Sequence, residues 1–244
     1  MKIVALIPAR GGSKSIPFKN IMKLGNHPLI AYSIAEAKLS QYINEVVVTT
    51  DSTKIADIAR KYRAYVPFLR PKNISRDHSL DVEFFKHYLN YLKRKAFQIP
   101  DIIVHLRPTT PLREISVIDC AIQYMVENKK ASALRSMHKT HLTPYKMFKK
   151  KGEYACAFLK YKNVQESYNL PRQKFDEVYI PNGYVDIVRP SILLKTNLLH
   201  GRRMKIWETD NVADIDGIED YHFAAKLLKE RRFNEIRNYL KDYQ

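Results

Sequence analysis

Three segments near the N-terminus constrain the fold most. Lys2-Ile3-Val4-Ala5-Leu6-Ile7 is a short apolar run ended by Pro8, and Glu45-Val46-Val47-Val48-Thr49-Thr50 is a second. Apolar runs of this length that lack polar alternation belong to strands buried on both faces, as in parallel sheets. Between them, Leu29 to Leu39 carries Leu29, Ile30, Ile34 and Ala37 at helical spacing. A strand, helix and strand of this size form a βαβ unit, whose two strands run parallel. The alternation then continues. Ser52 is placed to cap a helix reaching about Tyr62. Tyr65 to Leu69 reads as a strand, Leu80 to Arg94 as a helix, Ile102 to Leu106 as a buried strand, Ser116 to Glu127 as a helix and Ala131 to Ser136 as a strand. Gly183 to Val188 reads as a returning strand, and 217 to 240 has helical spacing throughout. From His138 to Tyr179 the pattern breaks down into basic, aromatic and polar sequence. The expectation is one three-layer, Rossmann-like α/β domain over 1–244, with a mostly parallel sheet and an inserted lobe at 138–180 that protrudes from it.

Composition narrows the function less than the pattern narrows the fold. The chain has 244 residues, 45% of them hydrophobic, which suffices for one sizeable core. No apolar run approaches the ~20 residues of a membrane span, and the first apolar stretch is too short for a signal peptide. The two cysteines, Cys120 and Cys156, are far apart and in no CxxC pattern, so reduced thiols in a cytoplasmic protein are expected. Lys and Arg outnumber Asp and Glu 42 to 25, a net charge of +17. Such an excess implies an anionic partner, and nucleic acid, an acidic membrane surface and a polyphosphate substrate all satisfy it. No RNA-recognition signature, zinc finger or heptad repeat accompanies the charge, and neither nucleic acid nor membrane is the expected partner.

The most informative segment is Pro8-Ala9-Arg10-Gly11-Gly12-Ser13-Lys14-Ser15-Ile16-Pro17-Phe18-Lys19-Asn20. It follows a buried strand, at the sheet edge where open α/β folds bind ligands. Gly11 and Gly12 allow a tight bend, and their N–H groups can form an anion nest. Arg10, Lys14 and Lys19 add three cations, and the set suits a triphosphate. The glycine before the lysine of a Walker A loop is missing, and so is the GxGxxG of a dinucleotide site.

This loop, IPARGGSKSIPFKNI, resembles the first signature of the acylneuraminate cytidylyltransferases, which reads approximately IPARxxSKGIPxKNI, with Ser15 standing where the family usually has glycine. Further segments resemble that family in the same order. They are Arg70-Pro71 with Ile74-Ser75-Arg76-Asp77, Leu106-Arg107-Pro108-Thr109-Thr110-Pro111-Leu112-Arg113, Pro144-Tyr145-Lys146, Pro171-Arg172-Gln173 with Tyr179-Ile180-Pro181-Asn182-Gly183, and Asp214-Ile215-Asp216 with Glu219-Asp220. The resemblance covers about residues 1 to 230. It implies a nucleotidyltransferase fold and transfer of CMP from CTP to the anomeric hydroxyl of a nonulosonic, sialic-acid-like acid.

The resemblance also implies roles. Arg10, Gly11, Gly12, Ser13, Lys14, Lys19, Asn20, Arg70 and Asp77 would hold CTP, with Lys19, Arg10 and Asp216 catalytic. Arg107, Thr109, Lys146, Arg172, Gln173 and Asn182 would contact the sugar. The lobe would form a homodimer and lend residues to the neighbouring site. Asp214 and Asp216 are one residue apart, so an extended segment points both carboxylates to one side. There they can share Mg²⁺, with Mn²⁺ as a substitute, or act as helix-start acids. Asp77 can serve the nucleotide or cap a helix. Lys14 and Lys19 are expected to be exposed loop residues whose loss leaves the fold intact.

Arg107 stands where relatives acting on N-acetylneuraminate usually have glutamine, and Asn182-Gly183-Tyr184-Val185-Asp186 departs from NGAIYI. An arginine suits bidentate carboxylate recognition. Both changes point to a related acid, legionaminic or another dideoxy-diamino acid. Two other readings remain open from sequence. One is a nucleotidyltransferase for another sugar or base, such as the 3-deoxy-manno-octulosonate type, whose loop PARYxSxRxPGKPL fits less well. The other is a basic nucleic-acid-binding protein.

Overall fold

The protein is described from a computed structural model that covers residues 1–12, 16–210 and 212–243. In chain order the elements are β1 (Ile3–Pro8), the short ribbon β2 (Lys23–Leu24) and β3 (His27–Pro28), α1 (Leu29–Leu39), β4 (Glu45–Thr49), α2 (Thr53–Lys61), α3 (Asp81–Arg94), β5 (Ile102–His105), α4 (Ile115–Glu127), β6 (Ala133–Thr140), the hairpin β7 (Phe148–Lys151) and β8 (Tyr154–Ala157), β9 (Val178–Val188), α5 (Pro190–Thr196), β10 (Met204–Glu208), α6 (Ile218–Leu227) and α7 (Asn234–Lys241). Six strands form one sheet in the order β10-β6-β9-β5-β1-β4. Five strands share parallel ladders with their neighbours in two blocks, β4-β1-β5 and β6-β10, and β9 runs antiparallel between β5 and β6.

The unbroken apolar runs fold this way because each strand must feed two cores. Ile3, Ala5 and Ile7 of β1 face one hydrophobic cluster, with α1, α2, α4 and α7. Val4 and Leu6 face the other, with Phe84, Phe85, Tyr88 and Leu89 of α3 and Leu193 of α5. A side chain period of two on a doubly covered sheet has no polar face to present. The result is the three-layer architecture expected from the sequence. Ser52 does cap α2, accepting from Ile55 N at 3.4 Å.

The structure departs from the sequence reading at four places. Tyr65 to Leu69 makes only isolated bridges, Val47 to Tyr65 and Thr50 to Leu69. Pro67 lacks the N–H that a ladder would need there. The stretch 217–240 is two helices, interrupted after Leu227. β10 joins β6 in parallel at the sheet edge, a strand whose half-exposed Met204 and Ile206 gave no buried run to read. The segment 138–180 also does not leave the sheet at its first residue. β6 and β9 continue as a two-stranded arm as far as Thr140 paired with Val178, past a register shift between Arg135 and Met137. The β7-β8 hairpin follows, and Tyr145, Tyr161 and Phe175 pack as rings with centroids 4.9–5.4 Å apart.

One buried charge pair ties the layers together. Arg113 and Glu36 are both fully buried and meet at 2.7 Å. Truncating one partner of a buried pair strands the other charge. Glu36→Ala is therefore expected to cost about 3–5 kcal/mol in urea denaturation, and a loss within ~0.5 kcal/mol would show the pair to be dispensable.

Stability should also depend on pH in a defined sense. Burial lowers His27, His87, His105 and His200 below the ordinary value of 6.5, His105 well below with Arg107 adding to the effect. The folded rings stay neutral where the unfolded chain protonates them. The unfolded state thus binds more protons below pH 6.5, and stability is lost as pH falls. Burial pushes the Glu36 carboxyl the other way, up to about 8, so one group gains stability as pH falls and the four histidines outweigh it only below about pH 6.5. Melts from about pH 6.5 to about pH 5.5 should show a falling Tm, and a rising Tm over that range would contradict neutral burial of the histidines.

Candidate active site

β4, β1 and β5 run parallel, so their C-terminal ends open on one side of the sheet. A cleft of about 420 Å³ lies there. Its lining joins four stretches of chain: Pro8, Arg10, Gly12, Lys19 and Asn20 after β1; Arg70 to Phe84 ahead of and within α3; Arg107, Pro108 and Thr109 after β5; and Asp216. Nine of the residues singled out from sequence therefore line it: Arg10, Gly12, Lys19, Asn20, Arg70, Asp77, Arg107, Thr109 and Asp216.

The β1 loop is held by its own amides. Asn20 Nδ2 donates to Arg10 O at 2.9 Å, and Gly11 N donates to Asp51 Oδ1 at 2.8 Å. A Cβ on Gly11 would come within 3.2 Å of the Ser52 Cβ, so the close approach to α2 explains a glycine there. The Gly11 N–H is thus committed to Asp51 and is not part of an open nest. Ser13, Lys14 and Ser15 lie outside the described residues.

Lys19 is not the exposed loop lysine expected from sequence. It is buried, and its Nζ donates to Ile215 O and to Asp216 Oδ1, both at 2.8 Å. Ile215 N in turn donates to Thr109 O at 2.8 Å. The 213–216 segment alternates buried Ala213 and Ile215 with exposed Asp214 and Asp216. Asp216 turns to Lys19 and lines the cleft, whereas Asp214 Oδ1 lies 3.5 Å from the Thr110 hydroxyl and is not part of the lining. No group of three or more His, Cys, Asp or Glu among the described residues could hold a metal alone.

Every carboxylate in the cleft faces a cation. Asp77 meets Arg10 at 2.6 Å, Asp216 meets Lys19, and Asp81 meets Arg107 at 2.8 Å. Arg70 is buried, donates from Nε to Ser75 Oγ at 2.9 Å and lies over the Phe84 ring. Burial lowers its pKa, without threatening its charge. Arg107 reaches two acids at once, Asp81 and the fully buried Asp186. Arg107 and the 182–186 segment, the two departures from the resembled pattern, are therefore in contact.

The remaining predicted residues stand elsewhere. Lys146 lies over the Phe175 ring in the lobe, and Arg172 and Gln173 are exposed on a single 3-10 turn of the same lobe. Asn182 is buried and donates to Thr209 Oγ1 at 2.7 Å and to Asp210 O at 3.2 Å, which fastens β9 to the chain after β10. Sequence reasoning missed Asp81 and named Asp186 only as part of the 182–186 departure. It weighed Asp51 as a weaker metal candidate or a cap of the following helix, where the structure has it accepting from Gly11 N. The one available signal was Arg107 itself, since a guanidinium beside a buried strand needs a counter-charge.

The sequence profile described as cytidylyltransferase matches residues 4–181. The pseudaminic acid cytidylyltransferase of Campylobacter jejuni subsp. jejuni (strain 81-176) is 38% identical over 231 residues, covering 94% of this chain and 97% of that protein. The N-acylneuraminate cytidylyltransferase of Escherichia coli (strain RS218) is 31% identical over 239 residues. The match covers 96% of this chain and 54% of the E. coli protein, so the chain spans about half the length of that relative. A solved structure of CMP:2-keto-3-deoxy-manno-octonic acid synthetase complexed with CTP shares the fold at a TM-score of 0.68 and 15% identity, covering 93% of this chain and 98% of that one. This chain belongs to the cytidylyltransferase family, the family of the acylneuraminate enzymes that its signatures resemble.

Proposed function

We propose that the protein transfers CMP from CTP to the anomeric hydroxyl of a nonulosonic acid and releases pyrophosphate. The observation that supports this most is the gathering of Arg10, Lys19, Arg70 and Arg107 with Asp216 in one strand-end cleft. That is cationic capacity for a triphosphate and for the carboxylate of an acidic sugar. The anomeric oxygen attacks the α-phosphorus and gives up its proton to solvent, the bond from that phosphorus to the bridging oxygen breaks, and pyrophosphate leaves with the electron pair. The nucleophile belongs to the sugar, so the chain's task is positioning and charge. Arg10 and Lys19 hold the triphosphate in place of Asp77 and Asp216. Arg107 and Thr109 lie on the sugar side, after β5. The kinship to a pseudaminic acid enzyme and the Arg107 and Asp186 departures favour a dideoxy-diamino acid, legionaminic or similar, over N-acetylneuraminate.

Mg²⁺, or Mn²⁺ in its place, is the proposed cofactor. Mg²⁺ usually takes one or two carboxylates with substrate phosphates and water. Asp216, exposed and in the cleft, fits such a role, and Asp214 beside it is the second candidate. When bound, the ion would neutralise charge on the phosphates. The lobe is proposed to pair two copies and carry Lys146, Arg172 and Gln173 toward the partner's cleft. The exposed Leu142, Phe148, Tyr154 and Phe158 of the lobe support a covered surface. Cys120 and Cys156 are both free thiols, in keeping with a proposed cytoplasmic location, and no helix among the described residues is long and apolar enough to cross a membrane.

The central test is pyrophosphate release from CTP and Mg²⁺ against a panel of nonulosonic acids. Turnover with GTP or UTP and none with CTP would overturn the nucleotide assignment. Lys19→Ala should weaken the use of CTP by about 1.5–3 kcal/mol in kcat/KM, with a lower Tm because Lys19 also fastens Ile215. Unchanged CTP kinetics would remove Lys19 from the phosphate site. Asp216→Asn should lower kcat at least ~100-fold with little change in Tm. Near-normal turnover of that variant, or full activity in excess EDTA, would contradict the metal role. Sedimentation should return a dimer, and a fully active monomer would separate the lobe from catalysis.

A further inference from the structure

Arg107 is bound at both ends of its guanidinium, and the two partners stand in opposite surroundings. Nη1 donates to Asp186 Oδ2 at 2.8 Å, and Nη2 donates to Asp81 Oδ2 at 2.8 Å. Asp186 is fully buried on β9, in register with His105 on one neighbouring strand and Arg135 on the other. Arg135 Nε lies 3.6 Å and His105 Nδ1 4.0 Å from the same Oδ2. Its Oδ1 has no hydrogen-bond partner among the described residues. Asp81, by contrast, opens α3 at the rim of the cleft with its side chain 43% exposed.

These surroundings decide which contact can be given up. Releasing Arg107 from Asp186 would leave a carboxylate in the interior with a distant arginine and a neutral, buried imidazole for company. The cost of such an uncompensated buried charge is high. Releasing Arg107 from Asp81 returns a carboxylate to water, where an exposed ion pair is worth little. The cleft runs past both, since Asp81, Arg107, Pro108 and Thr109 all line it.

We propose that the Arg107 guanidinium has one fixed partner, Asp186, and one exchangeable partner, Asp81, and that the carboxylate of the acidic sugar replaces Asp81 on Nη2. The proposal rests on the reading that the cleft activates an acidic sugar, and it names the group that recognises the acid. Asp186 is a positioning residue: it fixes the plane of the guanidinium from the buried side. Asp81 is a built-in competitor that occupies the anion site until a carboxylate arrives. A sugar that lacks the carboxylate cannot make the exchange, because an amide or ester does not match the charge that Asp81 supplies. Specificity for an acid thus comes from a contact already made by the chain as well as from a new one.

The test uses the full-length protein, CTP and the acid of the panel that turns over fastest, with its C1 amide as the uncharged counterpart. Asp81→Asn should lower KM for the acid about two- to fivefold, the size of an exposed ion pair, with a larger effect on KM than on kcat. It should not lower KM for the amide, and Asp81→Glu should restore the wild-type value. Asp186→Asn should raise KM for the acid and narrow the preference for acid over amide. If that variant does not fold, the Asp81 series decides alone. An unchanged or raised KM for the acid in Asp81→Asn, or an equal gain with the amide, overturns the proposal while turnover of acids leaves the functional reading standing. No turnover of any acid in the panel overturns both.

Discussion

The fully buried Arg113 is the interaction on which the rest of the structure depends. Its Nη1 reaches Glu36 and Ser33 on α1, its Nη2 donates to Arg107 O at 2.8 Å and Gly183 O at 3.3 Å, and its Nε donates to Tyr184 O. One side chain thereby joins α1, the loop after β5 and the point where β9 enters the sheet. Glu36 answers by accepting from Arg113 N at 2.9 Å. A buried pair of this kind is weak as a source of net stability, because desolvation cancels most of the attraction. Its worth here lies in geometry. Those donors need acceptors at fixed positions, and Arg107, whose carbonyl is one of them, inherits its place in the cleft.

The parts of the fold legible in the sequence were those where one local pattern had one outcome. The apolar runs of β1 and β4 and the helical spacing of α1 specified a βαβ unit without further information, and Ser52 gave a true helix start. The pattern of 183–188 also gave a strand, but periodicity carries no direction, and the antiparallel course of β9 depends on pairing with β5 and β6. β10 escaped notice because an edge strand with half-exposed Met204 and Ile206 has neither a buried run nor clean alternation. The cleft was legible as a membership list and not as a set of pairs. Arg10, Lys19 and Arg107 could be named from their types and their place after strands. Their partners, Asp77, Asp216, Asp81 and Asp186, lie 26 to 197 positions away in the chain, with nothing local to announce the pairing.

Charge reads differently once the partners are known. The net +17 suggested an anion-seeking molecule, yet the cleft shields its cations with its own carboxylates. Arg10, Lys19 and Arg107 each make a carboxylate contact within the chain. Such pairing orients long side chains that would otherwise sample many rotamers, so part of the ordering entropy is already spent before a ligand binds. The uncompensated excess lies elsewhere, as in the exposed strand β7, which carries Lys149, Lys150 and Lys151.

The strand order has a consequence for the history of each molecule. β9 fills the slot between β5 and β6, but it is made after both, and after the whole of the lobe. During synthesis the first three strands of the sheet, β4, β1 and β5, emerge with the inner edge of β5 bare, and β6 emerges with nothing to join it to them. An unpaired edge is where chains adhere to one another. The growing polypeptide therefore carries a three-stranded sheet, a solitary β6 and an open edge until residues 178 to 188 leave the ribosome, and β10 adds to β6 only later. The interval is set by the time taken to make the lobe. At ordinary elongation rates of roughly 5–20 residues per second it lasts a few seconds, long enough for a chaperone to matter.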